Sequence, residues 1–342
     1  MKKRVGYFDI AKGIGIILVV IAHIEYMPLG LREYIVTFHM PAFFVISGML
    51  MNLTKEVSRS VKLLLSHKFK RIMLPYFVFS LIYPLTYYLH FLVTGEGYSI
   101  DKFFQDLAVG ISMIGVSVLW FLPELFFSEL IVLIIIKNYR RPLIIVLTVL
   151  ALTGSWFIPL AVPILTLFLW RLVYCVILVL IGFVLYPVIN KVSSKPDILL
   201  LLSALMFVVL YFTGKANGIV DLHYIVTGNK LLYFLNAAMG SIALVMLSIF
   251  IEARLDKIGF VLQFFGRHSL FIMLTHIDFM ILYMAEKLAF VFSGVSPKAK
   301  NLVFNLSATM TTLAIETILI IIWEKIKKCG ILFVGEKIRS KE

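Results

Sequence analysis

The stretch YFDIAKGIGIILVVIAHIEYM, residues 7–27, decides the class of fold, because it is an apolar run close to the roughly 20 residues that a helix needs to cross a bilayer. Further apolar stretches of this kind follow it. The ten predicted spans cover residues 7–27, 34–52, 72–94, 120–137, 142–160, 167–189, 198–214, 231–251, 268–292 and 303–324. A weaker stretch, 101–119, is expected to lie in the membrane interface or to re-enter it, and Pro159 and Pro163 leave the division of 142–189 open.

The composition places the chain in a membrane. Its 342 residues are 61% hydrophobic and 15% charged, whereas a soluble domain is about half apolar and about a quarter charged. The charges are bunched between the apolar runs, which excludes a soluble enzyme, a disordered protein and a disulfide scaffold. Cys175 and Cys329 have neither CxxC nor metal-ligand spacing, so no metal is expected. We expect an all-α, polytopic membrane protein of about ten spans, with one domain over residues 1–342, in the cell's inner or plasma membrane.

The basic charge has two readings. Lys and Arg number 32 against 19 Asp and Glu, a net charge of +13, which is compatible with nucleic-acid binding or with basic cytoplasmic loops. When the predicted loops are assigned to alternate sides, about three quarters of the basic residues fall on the side of the N-terminus, which is the positive-inside pattern. The sequence therefore predicts two cytoplasmic termini, a basic cytoplasmic loop at 53–71, a basic cytoplasmic tail at 325–342, and no nucleic-acid partner.

Ionisable residues occur within the first span, where their burial is costly and indicates function. Lys12 and His23 are 11 residues apart, so they share one helix face at a separation of roughly 16 Å, and Asp9 falls on the same face. The alternative is structural: Lys12 extends towards the cytoplasm or pairs with Asp9, and His23 lies among the lipid headgroups.

The second span adds a second histidine. It contains FHMPAFFVISG, residues 38–48, and places His39 near the level of His23. One neutral imidazole can accept a proton while the other donates or orients, close to neutral pH. Pro41 frees main-chain groups that can open a cavity there. A metal site is the rival reading, but no third ligand has recognisable spacing.

Further polar residues mark two more regions. The basic loop ends in KFKRIMLPY, in which Lys68 and Arg71 abut the third span and are expected to hold a phosphate-bearing ligand jointly. The fourth span begins WFLPELFFSE, residues 120–129, where Glu124 is either solvated or functional and Glu129 is expected to face a polar interior. The other polar residues predicted within spans are His276, Asp278, Glu286, Asn236, Asn305 and Glu316, whereas His67, His90 and His223 read as unremarkable.

Taken in order, DIAKGIGIILVVIAH, FHMPAFFVISG, KFKRIMLPY, WFLPELFF and GRHSLFIMLTH resemble the motifs of the acyltransferase-3 family of integral membrane acyltransferases. Within that family the sequence is most similar to fucose 4-O-acetylase-like and enterobacterial-common-antigen O-acetyltransferase-like members. The resemblance runs from about residue 6 to about residue 290. It implies transfer of an acetyl group from acetyl-CoA to a hydroxyl of an extracytoplasmic or lipid-linked glycan.

The resemblance also implies roles for particular residues. His23 corresponds to the family's essential first-span histidine and Lys12 to its basic partner, while the RxxR element becomes Lys68 and Arg71. The Lys at 68 keeps the charge but lacks the bidentate fork of Arg.

We therefore expect three groups of site residues. The predicted catalytic residues are His23, His39 and Glu129; the predicted donor-binding residues are Lys12, Lys68 and Arg71; the predicted acceptor-binding residues are Trp120, Glu124 and His276. His23 would act as general base or as acyl carrier, and His39 would orient it or stabilise the oxyanion. The rival class is a transporter or exporter of a polysaccharide or lipid-linked sugar, although no inverted repeat is evident.

Overall fold

The computed structural model describes residues 5–25, 27–95, 97–154, 164–294 and 302–328. The α-helices within these ranges are α1 Gly6–His23, α2 Leu29–Val36, α3 His39–Leu53, α4 Val61–Lys68, α5 Leu74–Thr94, α6 Ile100–Ile111, α7 Phe121–Asn138, α8 Arg141–Gly154, α9 Ile164–Val192, α10 Pro196–Asn217, α11 Lys230–Arg254, α12 Asp256–Arg267, α13 Ser269–Thr275, α14 Ile281–Ser293 and α15 Leu302–Lys328. In the described ranges β structure is limited to one isolated bridge, Asp221 with Val226. The all-α prediction is confirmed.

The helices are long and apolar enough for a polytopic membrane protein. Among the described residues, eight helical segments can cross a bilayer, or nine if α12 and α13, which are bent by 58° against each other, form one span. The number is thus slightly below the ten predicted spans. The predicted span 142–160 is represented by α8, which has 14 residues. The rest of this span, with Pro159, lies outside the described residues, as does Pro163.

One predicted span differs in detail from the sequence-based expectation. The stretch 268–292 is not one helix, because the chain leaves the helical conformation between α13 and α14 and Met280 takes a left-handed φ of 56°. The polar side chains of His276 and Asp278 lie in this break. The weak stretch 101–119 contains α6, which has 12 residues and is too short to cross a bilayer.

Glycines bring the helices of the site into close contact. A Cβ atom at Gly13 of α1 would lie 2.0 Å from the carbonyl oxygen of Leu262 in α12, and one at Gly48 of α3 would lie 1.9 Å from that of Val179 in α9. Only a residue without a side chain permits main chains to approach this closely, as is usual between helices packed in lipid. These contacts fix α1 and α3, which carry His23 and His39.

The connection between α1 and α3 sets the position of the two histidines. His23 is the last residue of α1 and His39 is the first residue of α3, with the short helix α2 between them. Both histidines therefore lie at one end of the helix bundle, which we call the histidine end.

Candidate functional site

A cavity of about 530 Å³ opens at the histidine end. Its walls come from the end of α1, from α2, from the start of α3, from the 3₁₀ turn Ser117–Trp120 and from the loop 219–224. The polar side chains that line it include His23, Arg32, His39, Asp221 and His223. The structure thus brings together two predicted catalytic histidines and Trp120, which also lines the cavity.

The histidines share one hydrogen-bonding arrangement. His23, His39 and His276 each place Nδ1 at 2.8–3.0 Å from the main-chain carbonyl oxygen four residues earlier. A carbonyl oxygen can only accept, so Nδ1 of each neutral ring carries the hydrogen and donates it. Nε2 is left with its lone pair, which is the form that a general base requires. A neutral His39 in this form can accept a hydrogen bond through Nε2 but cannot donate one to an oxyanion.

His276 is placed beside His23 by the break between α13 and α14. The two imidazole rings meet edge to face, with their centroids 5.2 Å apart. Both rings line a second cavity of about 190 Å³, together with Tyr87 and Glu286. The Nε2 atom of His276 is buried and has no hydrogen-bond partner among the described residues. His276 therefore adjoins His23 at the second cavity.

A stack of four planar groups forms one wall of the larger cavity. The guanidinium of Arg171 lies 4.8 Å from the Trp120 ring centroid, Trp120 stacks on His223 at 5.4 Å, and His223 stacks on Tyr224 at 4.3 Å. Trp120 is 5% exposed, whereas Tyr224 is 59% exposed. Tyr224 is therefore the ring of this stack that is most open to a ligand, and the largely buried Trp120 supports the wall from within.

Arg171 holds this wall in place. Its side chain is fully buried and its Nε donates to Glu124 at 2.6 Å. Its terminal nitrogens donate to the carbonyl oxygens of Ile114, which shortly precedes the turn Ser117–Trp120, and of His223 in the loop 219–224. Glu124 is thus buried behind Trp120 and is not among the residues that line the cavity. Its observed role is to neutralise Arg171.

The loop 219–224 contains two residues with shifted pKa values, the base His223 and the acid Asp221. Burial, and to a smaller extent the positive charge of Arg171, lowers the pKa of His223 to about 3. Burial raises the pKa of Asp221 above its ordinary value. The main-chain N–H of His223 donates to the Asp221 carboxylate at 2.8 Å, which tightens the turn. His223 is consequently neutral at physiological pH.

Glu129 belongs to a different cluster from the histidines. The Lys68 ammonium lies 2.7 Å from the Glu129 carboxylate and 3.1 Å from that of Glu56, and the Ser47 hydroxyl also donates to Glu129. Ser47 is eight residues after His39 on α3, which is roughly 12 Å along the helix. The structure therefore separates Glu129 from the cavity and pairs it with Lys68.

The predicted donor-binding residues are placed on two elements. Arg71 is exposed and lies in a π-helical turn, Phe69–Met73, between α4 and α5. Such turns are often found at functional sites. Lys12 lies on α1, where its ammonium is 2.8 Å from the Asp9 carboxylate, and α1 runs without interruption from Lys12 to His23.

Arg171, Arg32 and the loop 219–224 are the parts of the site that sequence reasoning missed. Arg171 lies inside the predicted span 167–189, so its charge alone was a signal that it faces a polar interior. Arg32 and His223 fall in predicted loops, where a charged or polar residue carries no such signal. Their relevance depends on contacts between segments far apart in the chain.

The comparison with known proteins agrees with the motifs. Residues 5–321 match the acyltransferase-3 family, whose description is an acyltransferase domain. No similar protein was found among the curated proteins. The matched region contains every part of the site described above, from Lys12 on α1 to His276 in the break after α13. The chain therefore belongs to the acyltransferase-3 family, and it is a multi-pass membrane acyltransferase.

Proposed function

We propose that this membrane acyltransferase transfers an acetyl group from cytoplasmic acetyl-CoA to a hydroxyl of an extracytoplasmic or lipid-linked glycan, in the cell's inner or plasma membrane. The observation that carries the proposal is His23 itself. Its ring lines the 530 Å³ cavity, and its Nδ1 hydrogen bond leaves the lone pair of Nε2 available. A base in this state can remove the proton from a hydroxyl that enters the cavity.

The acceptor is proposed to be a sugar because of the shape and chemistry of the cavity. One wall ends in the exposed ring of Tyr224, and aromatic rings pack well against the apolar faces of sugar rings. Asp221 and Glu33 add carboxylates that can accept hydrogen bonds from sugar hydroxyls. Trp120 takes part by supporting this wall, and His276 by packing against His23.

The donor is proposed to approach from the other end of α1. Acetyl-CoA is a polyanionic thioester, and Arg71 is an exposed cation in the basic segment that the charge distribution assigns to the cytoplasm. Lys12 is roughly 16 Å from His23 along α1, a distance comparable to the pantetheine arm of CoA. Lys68 is neutralised by two carboxylates, so its proposed contribution, with Glu129, is to hold the π-helical turn that carries Arg71.

In the proposed step, His23 Nε2 takes the hydroxyl proton as the oxygen attacks the thioester carbonyl. The new C–O bond forms, the C–S bond breaks, and His23 returns the proton to the leaving sulfur of CoA. His39 shares the cavity and can accept a hydrogen bond from the incoming hydroxyl.

Acetyl transfer is tested with membranes that contain or lack the protein, supplied with acetyl-CoA labelled in the acetyl group. We expect base-labile label in the glycan fraction and release of free CoA thiol, both dependent on the protein. Membranes with His23→Gln are the matched control. Label-free glycan with unchanged CoA consumption would contradict the proposed reaction, and export of unmodified glycan would favour the transporter alternative. Label retained on the protein itself would indicate acyl transfer through His23 in place of base catalysis.

A further inference from the structure

Arg32 is the fixed cation of the larger cavity. Among the described residues that line this cavity, no other Lys or Arg is present. Its Nε donates to the carbonyl oxygen of Ala22 at 2.9 Å and its Nη2 donates to that of Ile24 at 2.9 Å. Ala22 and Ile24 flank His23, so the guanidinium is tied to the main chain on both sides of the proposed base.

These two bonds leave part of the guanidinium available. Arginine has five N–H donors in a rigid fork, and the bonds to Ala22 and Ile24 use two of them. The other donors have no acceptor among the described residues. The two carbonyl groups that bind the guanidinium lie at the C-terminal end of α1, where the helix dipole also favours a cation. Arg32 is therefore held in one place before any ligand binds.

An acyl transfer needs a donor that His23 and His39 do not supply. Negative charge develops on the thioester oxygen when the carbonyl carbon becomes tetrahedral, and prepositioned donors for that oxygen are a large part of catalysis. The Nδ1 hydrogens of His23 and His39 are already donated to main-chain carbonyls. Asp221 and Glu33, which also line the cavity, are acceptors when ionised.

We propose that Arg32 is a further catalytic residue, whose available N–H groups stabilise the oxyanion that forms while His23 takes the proton of the acceptor hydroxyl. This inference rests on the proposed function, and it supplies the donor that the His39 hydrogen bond makes unavailable. The oxyanion collapses when the C–S bond breaks, and its charge leaves the oxygen as the carbonyl re-forms. An acyl-His23 route would pass through an oxyanion at the same place.

The test compares Arg32→Gln and Arg32→Lys with the wild type in the labelled-acetyl assay, after solubilised samples have been checked for equal thermal stability. We expect Arg32→Gln to lower kcat roughly a hundred- to a thousand-fold, the effect of removing an oxyanion donor, with KM for both substrates little changed. Arg32→Lys keeps the positive charge but lacks the planar guanidinium, so its kcat is expected to lie between those of the wild type and Arg32→Gln. Arg254→Gln is the control, because it removes an exposed arginine paired with Asp197.

A second measurement separates a catalytic from a structural role. Added methylguanidinium should partly restore kcat in Arg32→Ala, and Arg32→Gln should cost little more once His23→Ala has removed the base. A near-normal kcat in Arg32→Gln, or a change confined to the acceptor KM, would overturn the proposal. So would a loss that follows thermal stability and does not respond to methylguanidinium. If the wild type itself transfers no label, the proposed function fails, independently of Arg32.

Discussion

The guanidinium of Arg171 and the carboxylate of Glu124 form an ion pair at 2.6 Å, and both side chains are inaccessible to solvent. The pair lies behind the cavity wall and supports it, because Arg171 also donates to the carbonyl oxygens of Ile114 and His223. A buried ion pair adds little net stability, because its attraction is offset by the cost of taking both charges out of water. Removal of one partner is nevertheless strongly destabilising, because the other charge is left buried and uncompensated. The pair therefore makes the shape of the wall sensitive to single substitutions.

Arg171→Met is expected to destabilise the protein by about 3–5 kcal/mol, since Glu124 is left unpaired in the interior. The double variant Arg171→Met with Glu124→Leu should recover part of this loss. Thermal unfolding in detergent measures both. The matched control is Arg254→Met, which breaks an exposed, solvent-screened pair and should change stability much less than Arg171→Met. Equal effects of the two Arg→Met variants would contradict the assignment of a structural role to Arg171.

His23→Gln is expected to lower acetyl transfer by roughly a hundred- to ten-thousand-fold, the range for loss of a general base, without loss of folding. The amide cannot take up the hydroxyl proton, although it is similar in size to the imidazole. His90→Gln is the control, because His90 lies on α5 and is not among the residues that line either cavity. Labelled-acetyl transfer at saturating donor measures the effect. Turnover within threefold of the wild type in His23→Gln would remove His23 from the mechanism.

Arg71→Ala is expected to raise the acetyl-CoA concentration for half-maximal rate by about tenfold, which corresponds to roughly 1.4 kcal/mol of lost charge-assisted bonding. The rate at saturating donor should change little, because Arg71 does not contact the histidine cavity. Lys70→Ala, an exposed cation in the same π-helical turn, is the control for general electrostatic attraction. If both variants shift the donor requirement equally, the basic segment attracts acetyl-CoA without a specific role for Arg71.

Tyr224→Ala is expected to raise KM for the acceptor about three- to tenfold, the loss of one stacking contact of roughly 0.5–1.5 kcal/mol. The donor KM should be unchanged. Tyr224→Phe keeps the ring that stacks on His223 and should behave like the wild type. Initial rates over a range of acceptor concentrations distinguish the variants. An acceptor KM that is equally raised by Tyr224→Phe would assign the contact to the hydroxyl and not to the ring.

The loop 219–224 is expected to open as the pH falls. His223 has a pKa of about 3 in the closed loop against an ordinary value of 6.5. As the pH falls, the imidazole of His223 is therefore protonated in the open loop before it is protonated in the closed loop. The closed loop therefore loses stability from about pH 6.5 downwards, by roughly 1.4 kcal/mol per pH unit at most. Amide hydrogen exchange of residues 219–224 between pH 7 and pH 5 measures this loss.

His223→Asn is the comparison for this pH effect, and its exchange, after correction for the intrinsic rate, should lack the part of the pH dependence that comes from His223. The raised pKa of Asp221 acts in the opposite sense, because a buried carboxyl stabilises the closed loop while it is protonated. Asp221 is present in both proteins, so its contribution largely cancels. A wild type and variant with the same pH dependence would show that His223 does not control the loop.

Much of the fold was predictable because membrane insertion is a property of single segments. An apolar run of sufficient length becomes a helix in lipid, where each main-chain polar group must be bonded within its own segment. The predicted spans at 7–27, 198–214 and 231–251 accordingly correspond to α1, α10 and α11. The break at His276–Met280 was not located from hydropathy, since the polar residues His276 and Asp278 interrupt the apolar run without indicating where the main chain leaves the helix.

The candidate site was predictable where two of its residues lie on one helix or on helices joined by a short connection. Lys12 and His23 share α1, and His39 begins α3, so spacing and connectivity were sufficient to place them. Glu124 and Glu129 were different, because their partners Arg171 and Lys68 lie on other helices. A carboxylate within a span signals that some polar partner exists, but the residue that fills this role depends on how each helix is rotated.

The amino-acid sequence by itself determined that this protein is a helical membrane protein and that histidines at the ends of its first two long helices belong to one site. Composition and spacing determine where a single segment forms a helix, because in lipid the main-chain polar groups must be bonded within that segment. Only the tertiary structure decided that His276 packs against His23 and that Arg171 supports Trp120 and the loop 219–224. The same holds for the hydrogen bonds of Arg32 to the main chain on both sides of His23. These contacts join distant segments through the packing of helices in three dimensions, which the pattern along one chain does not specify.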